Sequence, residues 1–397
     1  MNTKTSGILI GAIVLISAIL MVTAVASAAT TYYVATTGND TTGDGTASSP
    51  WKTIQYAVYN TTVSAGDTII VRNGTYNENV KVNKSLTIKS ENGSDSTIVQ
   101  AFSSSDHVFE VTVDYVNISG FTVTNATDSN KAGISLYFYP NGVNHCNISD
   151  NNASDNYYGI YLRSSSNNNT LTGNTASNNT NNGIYLYKSS NNTLINNTAT
   201  NNSNGIYLYE SSNNNTLTGN TANSNKNDGI RLYDSSTNNN LMGNTANSNS
   251  WCGIWLWSSS NNNLTNNTAN SNDDDGILLY DSSNSNTIAN NTASDNNHGI
   301  YLYSSGTNTL TGNTASNNTN SGISLSLSSN NNLTENNASR NFGSGIYLLS
   351  SGNSNIAGNN ASSNGGSGIY LYKSSNTNVT NNTANANGYD GLEVLGS

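Results

Sequence analysis

The sequence predicts an all-β solenoid: a three-sided parallel β-helix of about 23 residues per turn, with a short N-terminal capping helix. Two lattices of recurring residues predict it. A Gly followed by Ile or Leu, then x-Leu or x-Val, stands at Gly133, Gly159, Gly183, Gly205, Gly229, Gly253, Gly276, Gly299, Gly322, Gly345, Gly368 and Gly391, at intervals of 26, 24, 22, 24, 24 and then six times 23 residues. Halfway through each unit an aliphatic residue, from Ile148 and Leu171 to Val379, is followed three positions later by Asn (Asn151, Asn174, Asn197 through Asn382) and two further on by Ala. Asparagine makes up about one residue in five and charged residues only 9%, a composition that by itself reads as solvated, low-complexity chain. Disorder does not need such a lattice, whereas repeats that cannot bury an apolar face alone do.

From the N-terminus, residues 1–28 have one cation, Lys4, an apolar run from Ile8 to Val25, and then Ala26-Ser27-Ala28. This reads as a signal peptide, or as an N-terminal anchor because 18 apolar residues reach spanning length, and either exports the chain. Residues 29–132 read as an N-terminal cap and the first turns. Ser49-Pro50-Trp51 is expected to open the capping helix, with Trp51, Ile54 and Val58 on one face. "GDTIIVRNGTY", "VKVNKSLTIKS", "STIVQA", "HVFEVTV" and "VNISGFTVTNA" then read as strands. Residues 133–397 are the regular repeats, continuous with the preceding turns.

Each repeat offers three short β segments, such as "GIYLY", "NTLTGN" and "NTASNN", hence three walls. In "GIYLY" the Ile and Leu share one face and the Tyr pair the other, so aliphatics point inward and aromatics outward. Stacked about 4.8 Å apart, the recurring Asn can hydrogen-bond as a ladder, and the small Ala fits a tight inner corner. Ser165, Ser189, Ser211, Ser235, Ser259 and Ser282 form a further series at the next corner.

Without Lys4 the chain carries 12 basic and 23 acidic residues, a net charge of about −11, which disfavours nucleic acid and anionic membrane as partners. Asn-x-Ser/Thr sequons, among them Asn83, Asn168 and Asn266, fit an exported glycoprotein. Cys146 and Cys252 lie four to five turns apart, far beyond disulfide reach, so both are expected as free thiols.

"YYVATTGNDTTGDGTASSPWKTIQYAV…GDTIIVRNGTYNENV" together with "NNTLTGNTASNN…GIYLY" resembles the right-handed parallel β-helix proteins of the pectin-lyase-like fold, in particular the NosD-type repeats of exported surface proteins. The resemblance implies a right-handed helix. It does not imply one function, because lyases, hydrolases, adhesins and structural surface proteins share the fold. The NosD likeness points toward copper. His107, His145, His298, Cys146, Cys252 and Met242 are the whole inventory of suitable ligands outside the leader, and only His145 and Cys146 adjoin in sequence, so no copper role is carried over. Members of the fold that cut acidic polysaccharides carry Asp clusters, often with calcium, and a basic residue on one outer wall. The counterparts here are Asp273, Asp274 and Asp275 as metal candidates and Glu210, Arg231 and Asp234 as catalytic candidates, with Asp228 and Lys188 nearby. Glu210 and Asp234 hold the same repeat position, where a carboxylate pair would raise one pKa or hold Ca²⁺.

Outward positions of the Gly-Ile wall supply the main candidate surface: Tyr185, Tyr187, Tyr207, Tyr209, Tyr233, Trp255, Trp257, Tyr280, Tyr301 and Tyr303, thinning at Ser324 and Ser326. Such ladders stabilise neighbouring strands, or form a flat platform for glycan rings or a partner protein centred on Trp255 and Trp257. The chain reaches Ser397 without a polar cap after Gly391, an edge that invites end-to-end association. The combined reading is an exported cell-surface scaffold or adhesin, binding glycan or a surface protein through its aromatic wall and needing no cofactor beyond a Ca²⁺ at most. A polysaccharide lyase or hydrolase on the same wall, and a purely structural surface-layer role, stay open.

Overall fold

A computed structural model describes residues 29–397. The expected signal peptide lies outside the described residues. Among these, no helix is long and apolar enough to cross a membrane.

The chain coils into stacked turns whose strands pair in parallel, each with the equivalent strand one turn on. One wall is a 15-stranded sheet, here called the threonine wall, and a second is a 14-stranded sheet, the aromatic wall. The third begins as a four-stranded sheet of Gly74–Asn77, Thr97–Gln100, Thr122–Thr124 and Asn152–Ala153. Beyond Asn152 it narrows to a single parallel bridge per turn, running Asn152, Thr175, Thr198 and onward to Thr383. Register is strict: Ile184, Tyr185, Leu186 and Tyr187 face Ile206, Tyr207, Leu208 and Tyr209. One apolar column therefore fills the solenoid, with Ile184, Leu186, Leu194 and Ala199 of a typical turn fully buried.

Each repeated Gly lets two turns approach. A Cβ on Gly183 would stand 2.7 Å from the Ala176 carbonyl oxygen and 2.8 Å from that of Gly205, closer than side-chain carbons come. In the regular repeats a small Ala packs against that column, as Ala176 does against Gly159, while Val123 takes the place against Gly133.

Asparagine stacks in three buried ladders, not one. Besides the expected series through Asn174 and Asn197, a second runs Asn156, Asn179, Asn202 to Asn364 and a third Asn169, Asn192, Asn215 to Asn331. Within a ladder, Asn197 Oδ1 accepts from the backbone N–H of Asn174 at 3.0 Å and from Asn174 Nδ2 at 2.9 Å, while Asn197 Nδ2 donates to Leu171 O at 2.8 Å and Asn220 Oδ1 at 3.0 Å. Every polar atom of the amide is thus used inside an apolar tube, where an unpaired one would cost about 1–3 kcal/mol.

Two expectations need correction. The buried serine column is Ser166, Ser189, Ser212, Ser236, Ser259 and Ser283. Ser165, Ser211, Ser235 and Ser282 sit one residue earlier with φ of 62 to 68°, because in those turns the corner holds two successive left-handed residues instead of one. The capping helix spans Ile54–Tyr59, not a segment opened by Ser49 and Pro50. Thr53 is its N-cap and accepts from the Tyr56 N–H, and the Glu78 carboxylate accepts from the N–H groups of Ile54 and Gln55. Trp51 precedes the helix, bridges to Val34 and stacks on Tyr32 at 5.1 Å, so it seals the core from a strand position.

Candidate functional site

The aromatic wall carries two outward columns of different character. In the column four residues after each Gly, Tyr187, Tyr209, Tyr233, Trp257, Tyr280 and Tyr303 form an unbroken stack with centroids 5.0 to 5.7 Å apart. All six rings are half-buried, so one edge of the stack meets solvent. The column two residues after each Gly is covered in places, with Tyr207 and Tyr301 half-buried. Tyr161, Tyr185 and Trp255 keep 6%, 8% and 9% exposure, because the corner before the Gly rises over them and Tyr157, Tyr158 and Trp251 lean against them. The expected flat platform is therefore a stepped one. Its exposed tryptophan is Trp251, which belongs to no ladder, while Trp255 lies beneath it.

Arg231 replaces a ring in the covered column. Its guanidinium carbon lies 4.2 Å from the Trp255 ring centre, 4.8 Å from that of Tyr233 and 5.3 Å from that of Tyr207. Its ion pair goes to Asp228, at 3.7 Å, and among the described residues no ion pair joins it to Glu210 or Asp234. Those two do share a corner position, each with φ of 55°. Glu210 faces Lys188 at 3.1 Å, and its hydrogen bond from Tyr187, then that from Lys188, holds its carboxyl below the usual range. The expected raised pKa is thus not at Glu210. It is at Asp228.

Asp228 occupies the position immediately before the repeated Gly. In the neighbouring turns this column is bland: Asn182 and Asn204 before it, Ser321, Ser344 and Ser367 after it. Across four consecutive turns it reads Asp228, Cys252, Asp275 and His298. Asp228 is fully buried; its Oδ1 accepts from the Cys252 N–H at 3.2 Å, its Oδ2 has no hydrogen bond, and burial pushes its carboxyl up to about 7 against the opposing pull of Arg231. Burial likewise raises Asp275, which His298 opposes, and drives the Cys252 thiol far up. His298 Nδ1 lies 2.9 Å from Asp275 Oδ1, and the imidazole stacks on Tyr301 at 4.9 Å. Four buried side-chain polar atoms among the described residues have no partner, and three of them, Asp228 Oδ2, Arg231 Nε and Trp255 Nε1, belong to this one cluster.

Beside the cluster opens a cleft of about 390 Å³ lined by Trp251, Cys252, Trp255, Trp257, Asp274, Leu278 and Tyr280. It exists because Leu278 stands where the covered column would otherwise hold a ring. Of the acidic triplet, Asp273 and Asp274 are exposed and Asp275 is buried, so the three do not converge. Cys146 and Cys252 are free and buried, as expected. The juxtaposition of Cys252, Asp275 and His298 was not expected from sequence, although its signal is there: one column, one position before Gly, departing from Asn and Ser in four successive repeats.

No curated protein matches the chain. Solved structures do. The A-module of Azotobacter vinelandii mannuronan C-5 epimerase AlgE4 superposes with a TM-score of 0.67 at 17% identity, over 82% of this chain and 93% of that one. The periplasmic alginate epimerase AlgG gives 0.53 at 15% over 80% and 76%, and the Dettilon tailspike protein 0.50 at 14% over 81% and 62%. Likenesses at such identity show a shared fold alone. The family profile described as a right handed beta helix region matches residues 53–269 and 260–397, and the chain therefore belongs to the right-handed β-helix family.

Proposed function

We propose that the protein is an exported β-helix that binds a polysaccharide lengthwise along its aromatic wall, in the manner of a surface scaffold or adhesin. The observation that carries this reading is the unbroken, half-exposed stack from Tyr187 to Tyr303, with the Trp251 cleft at its side. A row of ring edges repeating once per turn matches an extended chain of repeating sugar units better than it matches a compact ligand. Rigid aromatic side chains give each contact an apolar payload at little entropic cost. Fold neighbours that are named epimerases of mannuronan and alginate are in keeping with a polysaccharide ligand.

The test is affinity of residues 29–397 for a panel of neutral and acidic polysaccharides, with Trp257→Ala combined with Tyr280→Ala. Removing two adjacent rings should weaken binding about 30-fold or more, the scale of an interface anchor of about 2 kcal/mol. Unchanged affinity in that variant, or no binding to any member of the panel, would overturn the platform.

One observation favours catalysis on the same wall: a buried carboxyl titrating near 7 beside a guanidinium. Such a group can hold or release a proton at neutral pH. In this second reading Asp228 and Arg231 act together, and Glu210 and Asp234 flank the bound chain. Appearance of unsaturated or reducing-end products, abolished by Asp228→Asn and retained in Asp273→Asn, would select it.

A further inference from the structure

We propose that Cys252, Asp274 and Asp275 form a binding site for a thiophilic divalent transition ion of the zinc class, entered from the tryptophan cleft. One donor atom from each lies within 4.8 Å of the other two. The thiol stands in strict vertical register with its neighbours, since the Gly253 N–H donates to Asp275 O and the Gly229 N–H to Cys252 O. The stacking that fixes the ladders therefore fixes the two buried ligands. Zinc-class ions bind sulfur at about 2.3 Å and carboxylate oxygen at about 2.0–2.2 Å, so the donors need to close by roughly an ångström. Asp274 is exposed and can supply that movement.

Three further features fit an ion here. His298 donates to Asp275 Oδ1 through its backbone N–H at 3.2 Å and meets the same oxygen with Nδ1 at 2.9 Å, which orients the carboxylate and leaves its second oxygen for a metal. Asp228, the residue preceding Cys252 in the column, is wholly buried and has an Oδ2 without a hydrogen bond. Asp274 and Asp275 bring two acidic oxygen donors to the one thiol, a set that suits a divalent cation, while the Asp228 Oδ2 faces the Arg231 guanidinium at 3.7 Å. Finally, Cys252 and Asp274 both line the cleft, which supplies an entry path and an open coordination position. The sulfur donor separates this site from a calcium site, which takes oxygen ligands, and Asp273 has no part in it.

The test is a Co²⁺ titration of residues 29–397 in the absence of any glycan, followed by displacement with Zn²⁺. One equivalent of Co²⁺ should produce a thiolate-to-metal charge-transfer band that Zn²⁺ abolishes, that Cys252→Ser eliminates, and that Asp274→Asn, on an exposed side chain unable to unfold the protein, weakens at least tenfold. Asp273→Asn should leave the titration unchanged. Absence of the band at millimolar Co²⁺, its persistence in Cys252→Ser, or displacement by Ca²⁺ as readily as by Zn²⁺ would each overturn the proposal. Polysaccharide binding by the Zn²⁺-free protein has no bearing on these outcomes.

Discussion

His107 and His298 stand in one column of the aromatic wall, many turns apart, and the solenoid treats them differently. The register that sets Ile134 against Phe109 sets Ala132 against His107, and the Ala132 N–H donates to His107 Nδ1 at 2.9 Å. That nitrogen must therefore be unprotonated, and burial, aided by the nearby Lys131 charge, lowers the pKa to about 4. His298 meets the Asp275 carboxylate instead of a backbone donor. The column fixes where a side chain sits, and the neighbour one turn away fixes what it does.

The comparison holds only while the frame keeps that column in register, so breaking the frame gives the largest effect. Asn197→Ala leaves the backbone N–H and one amide N–H of Asn174, together with Leu171 O, without their buried partners. At about 1–3 kcal/mol each, the loss should be about 3 kcal/mol or more, read as a fall in the urea unfolding midpoint. Asn263→Ala, on an exposed amide that also bonds its neighbour, should cost about 0.5 kcal/mol or less. Equal losses would mean that burial is not what gives the ladders their weight.

The two histidines themselves come next. A pKa lowered on folding contributes stability that is complete above the ordinary value of 6.5 and is lost as pH falls through about 4. His107 should therefore account for about 3 kcal/mol of acid destabilisation between those limits. His107→Asn, which retains an acceptor for the Ala132 N–H, should flatten stability across that window. A wild-type profile already flat there would refute the neutral, structural role.

A third test asks whether the four unusual turns trade stability for chemistry. Asp228→Asn restores the residue type that Asn182 and Asn204 hold in the same column, where Asn204 Nδ2 donates to Asn182 Oδ1 at 2.9 Å. Because the Asp228 carboxyl is raised on folding, its contribution is complete below 3.8 and falls as pH rises through about 7. The variant should thus match wild type near pH 4 and exceed it by about 4 kcal/mol at pH 8, by thermal midpoint. No gain at pH 8 would indicate that Arg231 already compensates the buried charge.

How much of this was legible in the sequence depended on whether a signal repeats. The Gly column, the Leu and Ile columns and the ladder through Asn174 recur at fixed offsets, so the wall architecture could be read directly. The ladders through Asn179 and Asn192 were hidden because Asn178 and Asn191, with the same side chain, turn the corner beside them in left-handed conformation and face outward. Trp255 was read correctly as outward and incorrectly as exposed, since the Trp251 corner covers it, and that corner position holds no ring in the adjoining repeats, where it is Asn227 and Asp274. The site was the least legible part. It is defined by residues that differ from turn to turn, and a periodic reading discards such residues.

Glu210 supplies the smallest effect and the sharpest contrast with Asp228. Both are carboxylates on the turns at Arg231, and both carry an ion pair: Glu210 with Lys188 at 3.1 Å, Asp228 with Arg231 at 3.7 Å. Glu210 is solvated, its partner lies on the same exposed corner, and its pKa moves down because hydrogen bonds favour the charge. Asp228 moves up because burial opposes the charge. Water already stabilises an exposed pair nearly as well as its partner does, so Glu210→Gln should shift the thermal midpoint by less than ~1 °C and leave polysaccharide binding unchanged. A larger shift, or loss of binding or turnover in this variant alone, would move the chemically important acid from the buried column to the exposed corner.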